Sequence, residues 1–146
     1  MFFLGLHKTD NAREVMEREN SVVQLENNPA QYQAPTEEQL IMHSLTQSAY
    51  LRESERLAEK IASQFEGYAK RVNRGVKQAG FWVLWQASMP AVLVELGFVT
   101  NRAESKYLGS KTGQNTLAHS IFRAVRDYKA EYEKSITQVI STPSMP

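Results

Sequence analysis

The carboxylate of Glu95 is the side chain most suited to chemistry, because it stands where the sequence is otherwise apolar. It follows the run Ala91-Val92-Leu93-Val94 and precedes Leu96. Burying an unpaired carboxylate costs several kcal/mol, so Glu95 needs a partner or a raised pKa. A continuous apolar run is typical of a parallel strand buried on both faces, and α/β sheets place their sites at the carboxyl ends of such strands. The sequence therefore predicts either a general base or electrostatic stabiliser, or a structural carboxylate that pairs with an arginine or caps a helix.

The three histidines do not show the spacing of a metal site. His7 ends an apolar run, His43 falls in a predicted helix, and His119 falls in the last predicted helix. No two of them have the four-residue spacing that places two imidazoles on one helix face around zinc. Spacing thus predicts no metal ligand among them and favours surface or half-buried positions.

A basic cluster precedes the Glu95 segment. It lies in a stretch without acidic residues and consists of Lys70, Arg71, Arg74 and Lys77. Such a cluster either receives an anionic polymer or a substrate carboxylate, or forms a solvated loop. The sequence leaves both interpretations open.

Several kinds of chemistry are excluded by missing residues. The chain has no cysteine, which excludes thiol catalysis, disulfides and cysteine zinc sites. It has neither a Gly-x-Ser-x-Gly motif nor a phosphate-binding glycine loop. A glycosidase needs two facing carboxylates, and nothing in the sequence brings Glu104 to Glu95.

Length and composition predict one soluble globular domain. The 146 residues are 42% hydrophobic and 23% charged, which excludes disordered, collagen-like and disulfide-scaffold classes. The formal net charge of +1 does not predict binding to nucleic acid. No apolar run approaches the roughly 20 residues needed to span a membrane. The opening residues 1–6 lack the pattern of a secretory signal and predict a strand, and a domain that opens within a strand suggests a piece of a longer chain.

The N-terminal half predicts one strand and two helical regions. After the apolar run 2–7, Asn11 and Glu14 resemble a capping box that starts a helix ending near Val23. The aperiodic stretch 24–35 predicts a loop, which is either a lid near the site or an ordinary surface loop. Residues 36–68 then show helical periodicity with a break near 49–50, and open on the capping box Thr36-Glu37-Glu38-Gln39.

The C-terminal half predicts two strands and two helices. Residues 70–80 are predicted as a loop, 81–85 as a short strand and 91–96 as a buried strand. Asn101 starts a short helix, and a final amphipathic helix carries Leu117, Ile121, Val125, Tyr128 and Tyr132. Alternating strands and helices predict an α/β fold. We place one domain at 1–134 and a polar tail at 135–146.

Three segments together resemble a known family. The segment 89–101, Met-Pro-Ala-Val-Leu-Val-Glu-Leu-Gly-Phe-Val-Thr-Asn, is similar to the C-terminal signature of zinc-dependent N-acetylmuramoyl-L-alanine amidases. The segment 74–81 resembles the stretch that precedes this signature, and Arg18-Glu19-Asn20 resembles the family's helix after an earlier strand. The likeness covers about residues 1–134 in the family's order.

The resemblance implies a fold, a reaction and a location. The fold would be α/β, with a mainly parallel sheet flanked by helices and without the N-terminal strands of the family domain. The reaction would cleave the amide between N-acetylmuramic acid and L-alanine of the stem peptide, with zinc polarising the carbonyl and Glu95 assisting proton transfer. Partners would be peptidoglycan and a regulatory activator protein, in the periplasmic or extracellular cell envelope.

The resemblance does not extend to the family's zinc ligands. Those are two histidines and a glutamate, with the first histidine in an Asp-Pro-Gly-His turn and the second in a Ser-Ile-His strand end. Neither motif occurs in this sequence, and His7 does not match a ligand position. We therefore expect zinc in the complete domain, no tight zinc binding by this chain and no hydrolysis by it alone. Glu26, within 24–35, is considered as a group that reaches towards the metal. The alternative function is a non-catalytic module that binds peptidoglycan or a partner.

Overall fold

The computed structural model describes residues 1–6, 8–25, 27, 36–46, 48–85 and 87–141. The chain forms two compact units, of which the first comprises Met1–Glu59 with Arg74–Glu95 and the second Lys60–Asn73 with Leu96–Pro146. Each unit buries apolar side chains of its own.

A small parallel sheet lies in the first unit. Strand β1 (Phe2–Leu4) pairs in parallel with strand β2 (Lys77–Ala79), so that Phe2 lies beside Lys77. Among the described residues these two strands form the sheet, and Leu93 adds an isolated antiparallel bridge to Phe2. Helix α1 (Asp10–Ser21) packs against β2. The α/β class and the opening strand predicted from the sequence are confirmed.

The core of the first unit forms around β1 and β2. Phe2 and Phe81 meet edge to face, with ring centroids 5.1 Å apart, and both are almost fully buried. Such a pair contributes about 0.5–1.5 kcal/mol beyond the burial of its area. The other buried members of this cluster are Leu4, Ala12, Val15, Ala79 and Leu84.

The starts of two helices show which helix caps the sequence predicts correctly. Helix α1 is capped by Thr9, whose hydroxyl accepts from the Ala12 N–H (3.2 Å), so the capping box predicted at Asn11 is wrong. The capping box of Thr36 and Gln39 is confirmed by reciprocal hydrogen bonds of 2.9 and 3.3 Å. It opens helix α2 (Glu37–Thr46), and helix α3 (Ser48–Gly67) follows, so the predicted helical region is confirmed.

The strand predicted at 81–85 is wrong, because these residues include one helical turn, α4 (Trp82–Trp85). The strand is instead β2, inside the segment predicted as a loop. Asn20 of α1 explains the difference. Its amide Nδ2 donates to the Gly80 carbonyl (3.0 Å) and its Oδ1 accepts from the Trp82 N–H (3.0 Å), which stabilises the turn where β2 ends.

The parallel strand predicted at 91–96 is also wrong. Within the segment 91–96, Leu93 is the residue that pairs with β1, and it does so in the antiparallel direction. The residues from Ala91 to Glu95 are half-buried rather than buried on both faces, and Leu96 is exposed. The apolar run thus reflects partial packing beside β1 and not a strand inside a parallel sheet.

The second unit contains helices α5 (Arg102–Leu108) and α6 (Lys111–Ser141), which pack against each other. The predicted start of α5 is confirmed, since the Asn101 side chain accepts from the Ala103 and Glu104 N–H groups. On α6 the buried face carries Leu117, Ser120 and Ala124. The predicted apolar face is therefore wrong at Val125 and Tyr132, which are exposed.

Helix α6 continues past residue 134, to Ser141. The boundary placed between 134 and 135 stays a prediction, since the end of a helix does not define the end of a domain. Within the described part of the chain, no helix is long and apolar enough to cross a membrane.

Replacing Asn20 with alanine should lower the free energy of unfolding by about 1–3 kcal/mol, because the Gly80 carbonyl and the Trp82 N–H lose their partner. Urea denaturation of the two proteins measures the difference. Asn27→Ala, at an exposed position in the same unit, is the matched control and should change stability by less than about 0.5 kcal/mol. Equal effects of the two substitutions would contradict the role given to Asn20.

Candidate functional site

Glu95 lies just beyond the amino end of β1. The backbone groups of Phe2 and Leu93 exchange two hydrogen bonds of 2.9 Å each. Because this pairing is antiparallel, the chain continues from Leu93 past Met1 to Glu95. Glu95 is half-buried. The sequence predicted that Glu95 lies at the carboxyl end of a parallel strand. In the structure it lies instead near the amino end of the parallel strand β1.

The charges around Glu95 include the α-amino group of Met1. Burial lowers the pKa of this amino group below its usual value of 8.0, the negative charge of Glu95 opposes the shift, and the positive charge of Lys77 adds to it. The amino group donates to the Gly75 carbonyl at 3.4 Å. Glu95 and the Met1 amino group are thus close enough for their charges to act on one another.

No arginine or lysine among the described residues forms an ion pair within 4.0 Å of Glu95. The members of the predicted basic cluster have other contacts. Arg71 pairs with Glu104 at 3.3 Å and stacks over the Tyr107 ring, 5.1 Å from its centroid. Lys77 donates to the side-chain oxygen of Asn11. These two cations are therefore held by the protein's own groups.

Ser54 of α3 fixes the start of the segment that carries Glu95. Its hydroxyl donates to the Tyr50 carbonyl (2.7 Å) and accepts from the Ala91 N–H (2.9 Å), and the side chain is 3% exposed. The sequence analysis missed this residue. Its signal is a serine three residues before Leu57, on the face that the helical periodicity predicts to be buried.

The turn after Glu95 belongs to the second unit and is held by Glu104. The Phe98 N–H donates to Glu104 Oε2 at 2.6 Å, while Glu104 Oε1 faces Arg71. Gly97 has a φ of +153°, and a Cβ at this position would lie 2.8 Å from Glu104 Oε2. The backbone conformation therefore favours glycine here, and a Cβ would displace the end of the Glu104 side chain. From the sequence, Glu104 was considered as a second catalytic carboxylate and as part of the helix start at Asn101, whereas in the structure its carboxylate also accepts from the Phe98 N–H of the signature turn.

A pocket of about 230 Å³, counting its open mouth, lies in the first unit beside the same segment. Leu4, Ser54, Met89 and Ala91 line it together with His43. Glu95 is not among the lining residues. His43 is half-buried and stacks on Trp85, with ring centroids 4.6 Å apart, so its contact is aromatic packing.

The metal-binding potential of the described residues is limited. They contain no group of three histidine, aspartate or glutamate side chains placed to hold one ion. His119 is exposed on α6. His7 and Glu26 lie outside the described residues, as does most of the segment 24–35 considered as a lid. The described residues therefore do not fit a catalytic zinc site, which needs three protein ligands.

Comparison with known proteins places these features in a family. The family model for N-acetylmuramoyl-L-alanine amidase matches residues 9–127, from the cap of α1 into α6. The chain belongs to the N-acetylmuramoyl-L-alanine amidase family. The match includes the Ser54 contact, the Glu95 segment and the Gly97 turn, so each of these features is part of the amidase portion of the chain.

Several curated relatives share this amidase portion. An uncharacterized protein of Bacillus subtilis, YqiI, is 41% identical over 75 residues, which is 51% of this chain and 36% of that protein. The amidase AmiC of Neisseria meningitidis is 38% identical over 85 residues, 58% of this chain and 20% of that protein. The amidase AmiA of Escherichia coli is 32% identical over 90 residues, 62% of this chain and 31% of that protein. The matched part is thus about a third or less of the length of these relatives.

Replacing Ser54 with alanine should destabilise the protein by about 1–3 kcal/mol, because it leaves the Ala91 N–H without its acceptor. Ser63→Ala, at an exposed position on the same helix, is the control and should have an effect under about 0.5 kcal/mol. Hydrogen exchange at the Ala91 amide, measured by NMR, should accelerate only in the Ser54 variant. Unchanged exchange there would show that Ser54 does not hold the segment.

Replacing Gly97 with alanine should destabilise the protein by about 1–3 kcal/mol, because the new methyl group meets Glu104 and the backbone is strained. Gly67 offers a matched comparison, since a Cβ there would meet no heavy atom within 4 Å. Thermal melts of the two alanine variants measure the difference. A Gly97 variant as stable as the Gly67 variant would argue against a constrained turn.

Proposed function

We propose that this chain supplies the C-terminal part of the catalytic domain of a peptidoglycan amidase. The bond cleaved is the amide between the lactyl group of N-acetylmuramic acid and L-alanine of the stem peptide. The observation that carries the proposal is the family match over residues 9–127, which contains the half-buried carboxylate of Glu95. The relatives named as amidases support the same reaction class.

Glu95 is the proposed catalytic residue. In amide hydrolysis a water oxygen adds to the carbonyl carbon, the C–N bond breaks, and the leaving nitrogen must gain a proton. A carboxylate can take the proton from the attacking water and deliver it to the leaving amine, which makes it base and then acid. Glu95 is half-buried, so its carboxylate is accessible to a water molecule and a substrate.

The zinc of the family is proposed for the complete catalytic domain and not for this chain alone. The described residues do not fit a zinc site, and the family's Gly-His and Ser-Ile-His motifs have no match in the sequence. Calorimetry with Zn²⁺ on the 146-residue chain should show no site tighter than micromolar, and the chain alone should not release stem peptides from peptidoglycan. A tight 1:1 site together with amidase activity would contradict this proposal.

The proposed substrate implies a place and partners. Peptidoglycan lies in the bacterial envelope, so we propose a periplasmic or extracellular location and an activator protein that regulates cleavage. The location is supported by the family match and by the name of a relative, an uncharacterized cell wall amidase of Bacillus anthracis that is 36% identical over 97 residues.

The role of Glu95 is tested in a chimera that joins residues 1–134 to the preceding part of the AmiA catalytic domain of Escherichia coli. Mass spectrometry of digested muropeptides measures the release of stem peptides with a free L-alanine amine. Glu95→Gln should lower the rate by about 10²–10⁴-fold, because the shape is kept and the base is lost. Glu59→Gln, at an exposed position on α3, is the control and should leave the rate unchanged.

The outcomes separate the amidase from the non-catalytic module. An active chimera that loses activity with Glu95→Gln, while its thermal melt is unchanged, supports the proposal. A chimera that stays fully active with Glu95→Gln contradicts the catalytic role. A folded chimera without activity, combined with co-sedimentation of the 146-residue chain with peptidoglycan sacculi, would favour the binding module.

A further inference from the structure

Helix α6 carries a second apolar face that the protein leaves exposed. Its buried face contains Leu117, Ser120 and Ala124. A separate stripe on the same helix is exposed, with Phe122 at 64%, Val125 at 44%, Tyr132 at 37% and Ile136 at 42% relative exposure. Large apolar side chains that are grouped on one exposed face often mark an interaction surface. We name Phe122, Val125, Lys129, Tyr132 and Ile136 the α6 stripe.

The spacing of the α6 stripe is that of a coiled coil. Its five positions are separated by three, four, three and four residues. This is the alternation of the a and d positions in a heptad repeat, which places them along one line facing a partner helix. Lys129 occupies one a position, and charged residues at such positions specify register and orientation.

The C-terminal part of α6 exposes its described side chains to solvent. Every described side chain from 129 to 138 is exposed, although the helix continues to Ser141. The ion pair of Glu131 with Lys60, at 2.6 Å, is a contact of this part with α3. Isolated helices shorter than about 12–15 residues are marginal in water, and most helical stability comes from packing of an apolar face. A partner on the α6 stripe would supply this packing.

We propose that the α6 stripe binds the α6 stripe of a second copy of this chain, with the two helices antiparallel. A two-fold axis near residues 130–131 makes one surface complementary to itself, as in most symmetric dimers. In this register Val125 lies opposite Ile136 of the second copy, and Lys129 lies opposite Tyr132 of the second copy. The ammonium group then faces an aromatic ring, a favourable arrangement.

The charges favour the antiparallel over the parallel orientation. In a parallel dimer in register, Lys129 would face Lys129 of the second copy, which places two like charges in one layer. In the antiparallel dimer, residues at e positions face each other across the stripe. These are Arg126 and Glu133, so two Arg–Glu pairs form, one on each side of the axis. The parallel arrangement would place neither of these residues opposite a charge of the other sign.

The ion pairs that Arg126 and Glu133 form within α6 leave both residues available for pairing with a second copy. Arg126 pairs with Asp127 at 2.7 Å, and Glu133 pairs with Lys129. All four side chains are at least 40% exposed. Exposed ion pairs within a helix contribute little to stability. Exchanging them for pairs between copies therefore costs little.

Sedimentation velocity of the full chain between about 1 and 500 µM tests the dimer, whose dissociation constant should be on the order of 10 µM, as expected for a small interface. Arg126→Glu or Glu133→Arg alone should weaken the dimer at least about tenfold, because like charges then face each other. The double variant should restore it. Both positions are exposed, and circular dichroism checks that each variant stays folded.

The orientation is tested with engineered cysteines, since the chain has none. Val125→Cys and Ile136→Cys chains should form a mixed disulfide with each other when combined, and much less with themselves. Val125→Cys chains that cross-link mainly with themselves would overturn the antiparallel register. A chain that stays monomeric at the highest concentration, or a dimer that is indifferent to both single charge reversals, would overturn the proposal.

Discussion

The backbone of β1 is the constraint on which the first unit depends, because three stretches that are distant in sequence must meet there. Residues Lys77–Ala79 pair with one edge of β1 and Leu93 pairs with the other. Phe2 and Leu4 are buried in a cluster that includes Ala79 of β2 and Phe81, and Leu93 packs against it. The position of Glu95 follows from the same arrangement, since it lies two residues beyond the bridge at Leu93.

Local signals in the sequence were sufficient for two of the helix starts that depend on neighbouring residues, those of α2 and α5, but not for α1, whose cap is Thr9 and not Asn11. Thr36 with Gln39, and Asn101 with Glu104, each carry their cap within four residues. The strands were harder to predict, because an aromatic run such as 81–85 is compatible with a buried strand or a buried helical turn. The choice is made by Asn20, a residue 62 positions away from Trp82, and no local pattern contains that information.

In the candidate site, too, some features could be predicted from local sequence and others depend on residues that are distant along the chain. Glu95 could be selected from the sequence, because a carboxylate after an apolar run is unusual and the surrounding signature is specific. The groups around Glu95 could not be predicted from the sequence, because the antiparallel bridge between Phe2 and Leu93 brings the Met1 amino group near Glu95. Burial was also overestimated, since hydrophobicity indicates that a segment packs but not how many of its faces are covered. The same error affected Val125 and Tyr132, which are apolar but exposed.

The distance along the chain between β1 and its partners has a consequence for biosynthesis. Phe2–Leu4 is synthesised well before its partners in β2 and at Leu93. At about 5–20 residues per second, β1 waits on the order of several seconds for these two partners. During this interval the backbone groups that they will pair with are accessible to other chains and to chaperones. The pairing of β1 with β2 and Leu93 is thus completed only after Leu93 has been synthesised, so the yield of the first unit depends on protection of β1 until then.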